Sequence, residues 1–497
     1  MRKASKILTL LIAVLFIMSS ILTGCGGSNT TNPESTVETD TSKPADLIMY
    51  LIGEPAKDYD MVLEEANIKL KEDLNASITV NWIGWSDFGT QYPLILASGE
   101  QVDLIYASTW TNYYSNAQKG AFMAIEDLAP VYAPKSYAEI SDDFLTQSTV
   151  GGHLYGIPAS FFQYGEMGYI VRGDLMKKYG MTSIDGIDGY GEYLDNVVKN
   201  DPQLDPTGST SSSDGLDTYY AASNGYFGIT KTQYSPFYID VNDPDAKIFN
   251  LYEQEGILDY FLKMKDWGDK NYWSKSILSN KDDYMFRDGK SASRLHNQDS
   301  WRGAYMENPE RDIQFFLNSS FTYKSAAMQD GMAIPASAKY PERALMFLEK
   351  LRTDQSYYNL FTYGIEGKHY EITDDDKLKA LDMEAFAPEG YCSWGFKSLN
   401  FYKSPVGVPP NLEEVKTLLA DRAIDNIFTL FTPNWEPVKN EQAAVNNVIQ
   451  QYRLPMSYGY IEDVEGGLTT LVEKLKVAGS DKIMAEMQKQ LDEYLAQ

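Results

Sequence analysis

Residues Gly151–Leu175 read GGHLYGIPASFFQYGEMGYIVRGDL. A Gly-Gly turn opens into a short strand-like run, Leu154–Ile157, and Pro158 ends it because proline cannot donate to a sheet ladder. Phe161, Phe162 and Tyr164 follow, then a second strand-like run, Met167–Val171. Arg172–Asp174 reads as a turn into a helix that begins near Leu175. Two short extended passes therefore flank an aromatic cluster. On the residues alone, a pair of buried strands with core aromatics accounts for this pattern.

The chain before this stretch alternates strands and helices. Asp46–Gly53 is an apolar strand run, and Asp58–Leu74 places Met61, Val62, Ala66, Ile68, Leu70 and Leu74 near helical spacing. Ala76–Gly84 alternates as a strand, with Ile78, Val80 and Trp82 on one face. Asp87–Ser98 reads as a helix capped by Ser86, Val102–Tyr106 as a strand, and Thr111–Lys119 as a helix. This rhythm predicts a parallel sheet covered on both faces, with right-handed crossovers. Such sheets bind ligands just beyond the carboxyl ends of their strands. Here those ends are Gly53-Glu54, Gly84-Trp85-Ser86 and Ser108-Thr109-Trp110. A flat aromatic beside short hydroxyls suits the apolar face and hydroxyl rim of a sugar ring. Strand-end tryptophans can equally cap a core. Glu54, Trp85, Ser108 and Trp110 are on these grounds candidates for ligand contact.

The first residues carry Arg2, Lys3 and Lys6, followed by an uncharged run of 16 residues, Ile7–Leu22. That is shorter than the roughly 20 residues of a membrane-spanning helix and fits an export signal over residues 1–24. The run ends in Leu22-Thr23-Gly24-Cys25, which resembles the bacterial lipobox, where the peptide is cut before the cysteine and the thiol is acylated. Residues 25–45 contain no aromatic residue and a single β-branched aliphatic, Val37, so they read as a flexible tether. Together these features predict a palmitate-type lipid anchor at Cys25 holding the protein on the extracellular face of the cell membrane.

Removal of residues 1–24 moves the formal charge from −27 to −30, so nucleic acid and anionic membrane surfaces are excluded as partners. With Cys25 acylated, Cys392 has no partner for an intrachain disulfide. The histidines, His153, His296 and His369, form no short-spaced pair, which argues against zinc; no cofactor motif is present either. A secreted glycoside hydrolase needs two carboxylates across a cleft. With 70 acidic residues such pairs always exist somewhere, so that signal is empty, and no catalytic residue is named. A structural adhesin would need no two-lobed pattern.

Beyond residue 183 the chain is less regular. Thr207–Asp217 is low in complexity and reads as a loop, Tyr219–Ser235 as strand and turn, and Gly256–Lys270 as a helix. Near the end, Ile483, Met484, Met487, Leu491 and Leu495 make one helical stripe.

Several of these pieces resemble one family in the right order. "YGIP", an aromatic pass and "YIVRGDLMKKYG" resemble the first interlobe crossover of extracellular solute-binding proteins, the capture subunits of ABC importers. "ASGEQVDLIYAS", "GAFMAIEDLAP", "DYMFRDGK" and "GMAIP" with "PERALMFLEKLRT" resemble further steps of the same family. "NLFTYGIEGKHY" and the tail Gly479–Gln497 resemble its lipoprotein-type members with a C-terminal domain of unknown function, DUF3502. The resemblance implies an α/β, two-lobed, periplasmic-binding-protein-like (type II) fold with a ligand cleft between lobes and a helical C-terminal extension. It implies lobe 1 over 46–163 and 296–330, lobe 2 over 164–295 and 331–400, and a C-terminal region, 401–497, packed on lobe 2. It places Tyr164 on the cleft floor and Asn297, Gln298 and Trp301 where strand Ser291–Asn297 returns to lobe 1. It gives Glu366, His369 and Tyr370 no role. The expected function is capture of a solute by hinge closure, followed by delivery to permease subunits, by a monomer. An oligosaccharide is the expected solute; a peptide receptor and a glycan-acting enzyme are the alternatives.

Overall fold

Strand β1 (Ala45–Ile52) runs parallel to β2 (Ala76–Ile83) in unbroken register from Ala45↔Ala76 to Ile52↔Ile83. Between them lies α1 (Tyr59–Leu74). It buries Val62, Ala66, Leu70 and Leu74 and leaves Met61 and Ile68 exposed, so four of the six apolar positions face the sheet. Helix α2 (Phe88–Ala97) follows; its N-cap is Asp87, not Ser86. Strand β3 (Leu104–Ala107) pairs parallel with β1, and α3 (Tyr113–Gln118) comes next. The computed structural model describes residues 41–161, 163–165, 168–208, 216–229, 235–274, 276–279, 284–424 and 427–496. The signal peptide, Cys25, Phe162, Met167 and most of the 207–217 loop lie outside them.

Strand β4 (Gly156–Pro158) ends the first stretch. The chain then passes through β5 (Tyr164–Gly165) into β6 (Gly168–Val171), whose four residues are all buried. Helix α4 (Ile257–Asp269) precedes β7 (Ser293–His296), α5 (Gln298–Glu307) and β8 (Gln314–Leu317). β7 and β8 flank β6 as antiparallel neighbours. The chain returns through β9 (Thr322–Lys324) and enters the first sheet as β10 (Gly331–Ala333), followed by α6 (Pro341–Thr353) and α7 (Gln355–Tyr363). Helix α8 (Leu412–Asp421), β11 (Ala423–Ile424), α9 (Lys439–Val448), α10 (Val464–Ala478) and α11 (Ser480–Leu495) complete the chain.

The first sheet has the order β2-β1-β3-β10-β4, with β10 antiparallel to both neighbours. A separate three-stranded sheet, β11-β9-β5, joins the outgoing and the returning pass. Gly165 is required there, because a Cβ at that position would lie 2.2 Å from the Tyr323 ring.

Two large hydrophobic cores result. The first holds the 45–157 and 328–396 segments. The second combines Tyr169 and Val171 of β6 with Tyr260 and Met264 of α4 and with Val445, Leu471, Ile483, Met487 and Leu491 of the C-terminal helices. Two expected assignments are corrected. Residues 331–400 belong with the first core, because β10 pairs with β3 and because Ala344, Phe347 and Leu351 of α6 pack there. Residues 296–317 belong with the second side, because β7 and β8 both pair with β6 rather than returning to the first sheet.

Buried carboxylates fasten these elements. Asp103 is 0 % exposed and accepts from Ile48 N at 2.9 Å, Gln101 Nε2 at 2.7 Å, Lys339 N at 2.8 Å and Tyr340 N at 2.9 Å. It ties β1 to the start of α6. Asp217 lies 2.8 Å from Arg453 Nε, both at most 2 % exposed, and also accepts from Tyr260 OH at 2.9 Å and Ser457 Oγ at 3.1 Å. This pair fixes the C-terminal region to the second core. Arg453→Leu leaves the Asp217 charge buried without its cation and should cost about 3–5 kcal/mol. Urea unfolding should show one transition at lower denaturant, with part of the loss recovered in Arg453→Leu/Asp217→Leu; a separate early transition would mean that the C-terminal region folds on its own.

Candidate functional site

Three indoles meet at the carboxyl edge of the first sheet. Trp85, just past β2, and Trp110, just past β3, have ring centroids 5.8 Å apart. Trp394 stacks on Trp85 at 6.4 Å and 21°. Phe88 stands edge-on to Trp110 at 5.4 Å and Tyr106 supports Trp110 at 5.2 Å. All three tryptophans are partly buried, packed against the first core without being enclosed by it. Trp394 can lie here because Gly395 follows it: a Cβ at 395 would sit 2.7 Å from Tyr106 and 3.0 Å from Met332.

The polar groups come from the chain's passages between the cores. Asp330, immediately before β10, is buried and accepts from Tyr106 OH at 2.5 Å and from Gln163 Nε2 at 3.0 Å. Burial pushes its carboxyl up to about 6; the Asp299 charge adds to this, while the Tyr106 hydrogen bond and Lys397 oppose it. Thr109 Oγ1 donates to Gln329 Oε1 at 2.8 Å, and Ser108 Oγ donates to the Gln329 carbonyl at 2.6 Å. From the second side, Arg302 of α5 reaches Glu389 at 3.2 Å and the Tyr402 hydroxyl at 3.3 Å. Lys397 lies 3.4 Å from Glu389 and over the rings of Phe161 and Tyr402, at 4.8 and 4.5 Å. These contacts carry charge pairing from one core to the other.

Beside the indoles a cavity of about 880 Å³ opens between α2–α3 and residues 434–442 of the C-terminal region. Among the described residues, no group of three or more His, Cys, Asp or Glu is placed to hold a metal ion.

The expected site residues separate into three groups. Trp85 and Trp110 share one cluster, and Glu54 is exposed beside it, its Oε1 2.9 Å from where a Gly84 Cβ would stand. Ser108 is fully buried under the cluster, where its hydroxyl positions backbone. Asn297 and Gln298 are partly buried at the start of α5, where Asn297 Oδ1 caps the helix by accepting from Ser300 N at 3.0 Å. Tyr164 sits on β5, packed at the edge of a small third core. Trp301 is corrected: it is 0 % exposed, donates Nε1–H to the Ile313 carbonyl at 2.8 Å and stacks on Phe315 at 5.7 Å. It is a core residue, because one turn into α5 the side chain faces β8 and not the start of the helix. Trp394, Gln329 and Asp330 were missed. Gly-Tyr-Cys-Ser-Trp-Gly has no strand or helix period, so only its density of glycine and aromatics could have marked it. Of Glu366, His369 and Tyr370, the buried His369 accepts from Ile365 N at 2.9 Å through Nδ1 and lies 3.4 Å from Asp58, which makes it a structural anchor.

The sequence profile of the family described as "Bacterial extracellular solute-binding protein" matches residues 54–357, and that of DUF3502, a domain of unknown function, matches residues 427–496. The chain is 26 % identical to a carbohydrate ABC transporter substrate-binding protein of Streptococcus pneumoniae, over 97 % of each chain. It is 22 % identical to the polygalacturonan/rhamnogalacturonan-binding protein YtcQ of Bacillus subtilis, over 74 % of each. Among solved structures it resembles the N-glycan transport solute-binding protein NgtS of Streptococcus pneumoniae in complex with Man1GlcNAc, with a TM-score of 0.77, 24 % identity and coverage of 92 % of this chain and 100 % of that one. The Man5GlcNAc complex of NgtS gives a TM-score of 0.73.

Asp330 yields a pH prediction. Its folded-state value lies above its unfolded value, so the protonated form is favoured by folding and its stabilising contribution is lost as pH rises from about 4 to about 6. Asp205, also raised to about 6 by burial, acts in the same sense, so the comparison must be with a variant. Between pH 6 and pH 4, wild type should gain roughly 2–3 kcal/mol relative to Asp330→Asn, at 1.36 kcal/mol per pH unit. Thermal unfolding of both proteins across that range measures it; parallel curves would show that Asp330 does not titrate there.

Proposed function

The chain belongs to the bacterial extracellular solute-binding proteins, and from that membership we propose that it captures an oligosaccharide between its two cores and delivers it to the permease of an ABC importer. The observation that carries the sugar assignment is the indole trio at the carboxyl edge of the sheet. Trp85, Trp110 and Trp394 present flat apolar faces, and Glu54, Thr109 and Gln329 lie beside them as hydrogen-bonding groups. The carbohydrate relatives named above support the same class of solute. A receptor is favoured over a hydrolase because Asp330 has both carboxyl oxygens engaged by Tyr106 and Gln163 instead of facing a scissile bond.

The lipid anchor completes this reading. Among the described residues no helix is long and apolar enough to cross a membrane. Acylation of Cys25 would hold the protein beside its permease, with residues 26–44 as the spacer. Cys25→Ala should leave folding intact and abolish fatty-acid incorporation; metabolic labelling that persists in this variant refutes the anchor.

Calorimetry with Man1GlcNAc and Man5GlcNAc tests the sugar reading. Binding is expected without release of reducing ends. Trp85→Ala should weaken it roughly fivefold to a hundredfold, the range of a 1–3 kcal/mol aromatic anchor, with little change in melting temperature. Trp301→Ala should instead lose about 3–5 kcal/mol of stability. Steady turnover, or binding of peptides alone, would overturn the proposal.

A further inference from the structure

The C-terminal region, which carries no assigned activity, faces the indole cluster across the cavity. The near wall is Phe88, Tyr92 and Trp110; the far wall is Asn434, Trp435 and Glu436. The near wall is continuous with the cluster, since Phe88 touches both Trp85 and Trp110 edge-on. At about 880 Å³ the space falls within the roughly 300–1,000 Å³ typical of small-molecule sites.

The far wall is held in place. Gln490 of α11 accepts from Asn434 N at 2.7 Å and donates to the Asn434 carbonyl at 3.0 Å. Asn434 Oδ1 accepts from Glu436 N at 3.0 Å, and Val438 N donates to the Trp435 carbonyl at 2.9 Å. Trp435 packs against the second core yet stays partly exposed, whereas Trp267 and Trp273 of that core are only 4 % exposed. Its uncovered surface lines the cavity. Lys439 lies 3.0 Å from Glu436, and the exposed Lys119 adds one positive charge at the near rim. The rest of the lining is indole, amide and hydroxyl, the chemistry that recognises a sugar.

We infer that the C-terminal region forms a wall of the ligand site, in which Trp435 with Asn434 receives the sugar rings that extend past the Trp85–Trp110–Trp394 platform. This rests on the oligosaccharide reading proposed above. It gives the region a role in setting glycan length: short ligands occupy the platform, and longer ones also engage Trp435.

The test is calorimetry on the full chain with Man1GlcNAc and Man5GlcNAc, using wild type, Trp435→Ala, Trp435→Phe and Trp85→Ala. Trp435→Ala should weaken Man5GlcNAc on the order of tenfold and Man1GlcNAc by less than about twofold. Trp435→Phe, which keeps a flat ring and the core contact, should recover most of the loss. Trp85→Ala should weaken both glycans. If Trp435→Ala binds Man5GlcNAc as wild type does, or weakens both glycans alike, the inference is overturned while the sugar reading stands. Wild type that binds neither glycan overturns both.

Discussion

The insertion of β10 antiparallel between β3 and β4 constrains everything around the site. Its first residue, Gly331, pairs with Ala107 at the carboxyl end of β3 and with Pro158 at the end of β4. Both passages between the cores therefore leave the sheet at the edge where parallel α/β sheets bind ligands. Ala159 N donates to the Asp330 carbonyl at 2.8 Å and Ser325 N to the Gln163 carbonyl at 2.8 Å, so the two passages run side by side. The sheet β11-β9-β5 continues this pairing with a third strand. The passages between the cores and the proposed binding edge are thus one neighbourhood. A ligand on the indoles, as proposed, would lie beside the backbone that must bend when the cores close.

Buried acids show how an acidic chain builds such a frame. Asp103, Asp217 and Asp330 are each surrounded by donors from distant segments. Burying a carboxylate is costly unless it is fully hydrogen-bonded, so each position admits one arrangement of its partners. Asp103 sets where α6 starts, Asp217 sets where Arg453 docks, and Asp330 joins Tyr106 of the first sheet to Gln163 of the first passage. Of the three, only Asp330 lies beside the indole cluster, through Tyr106.

Local pattern and long-range placement were legible to different degrees. Helix α6 covers Pro341–Thr353, a stretch that the family resemblance assigned to the second lobe, yet it packs on the first core. A local motif reports that a helix forms, not against what it packs. The same limit applies to Ser293–His296: its strand character was evident, but its partner, β6, depends on a pairing about 120 residues apart in sequence. Trp85 and Trp110 were singled out because a rule about sheets places ligands at strand ends, and the structure brings the two rings into one cluster. Trp394 and Trp435 sit in irregular segments, where no such rule applies. Trp301 was misplaced because its neighbourhood, not its helical position, suggested exposure.

Closure requires more than the indole platform. A sugar that touched only Trp85, Trp110 and Trp394 would bind the open and closed arrangements equally and so shift neither. Moving a two-state balance from 1:99 to 99:1 needs about 5.5 kcal/mol of preference for one state. Contacts from the second side must supply that difference. Two sets of groups stand there: the start of α5, where Asn297 and Gln298 precede Asp299, and the Asn434–Glu436 wall. The Arg302–Glu389 pair spans the same gap, with side chains 17 % and 12 % exposed. Shielded from water to that degree, it is stronger than a surface pair. A pair that joins the two sides in this way adds to the closed arrangement, and on the inference above a longer glycan reaching Trp435 would add more to it than a short one.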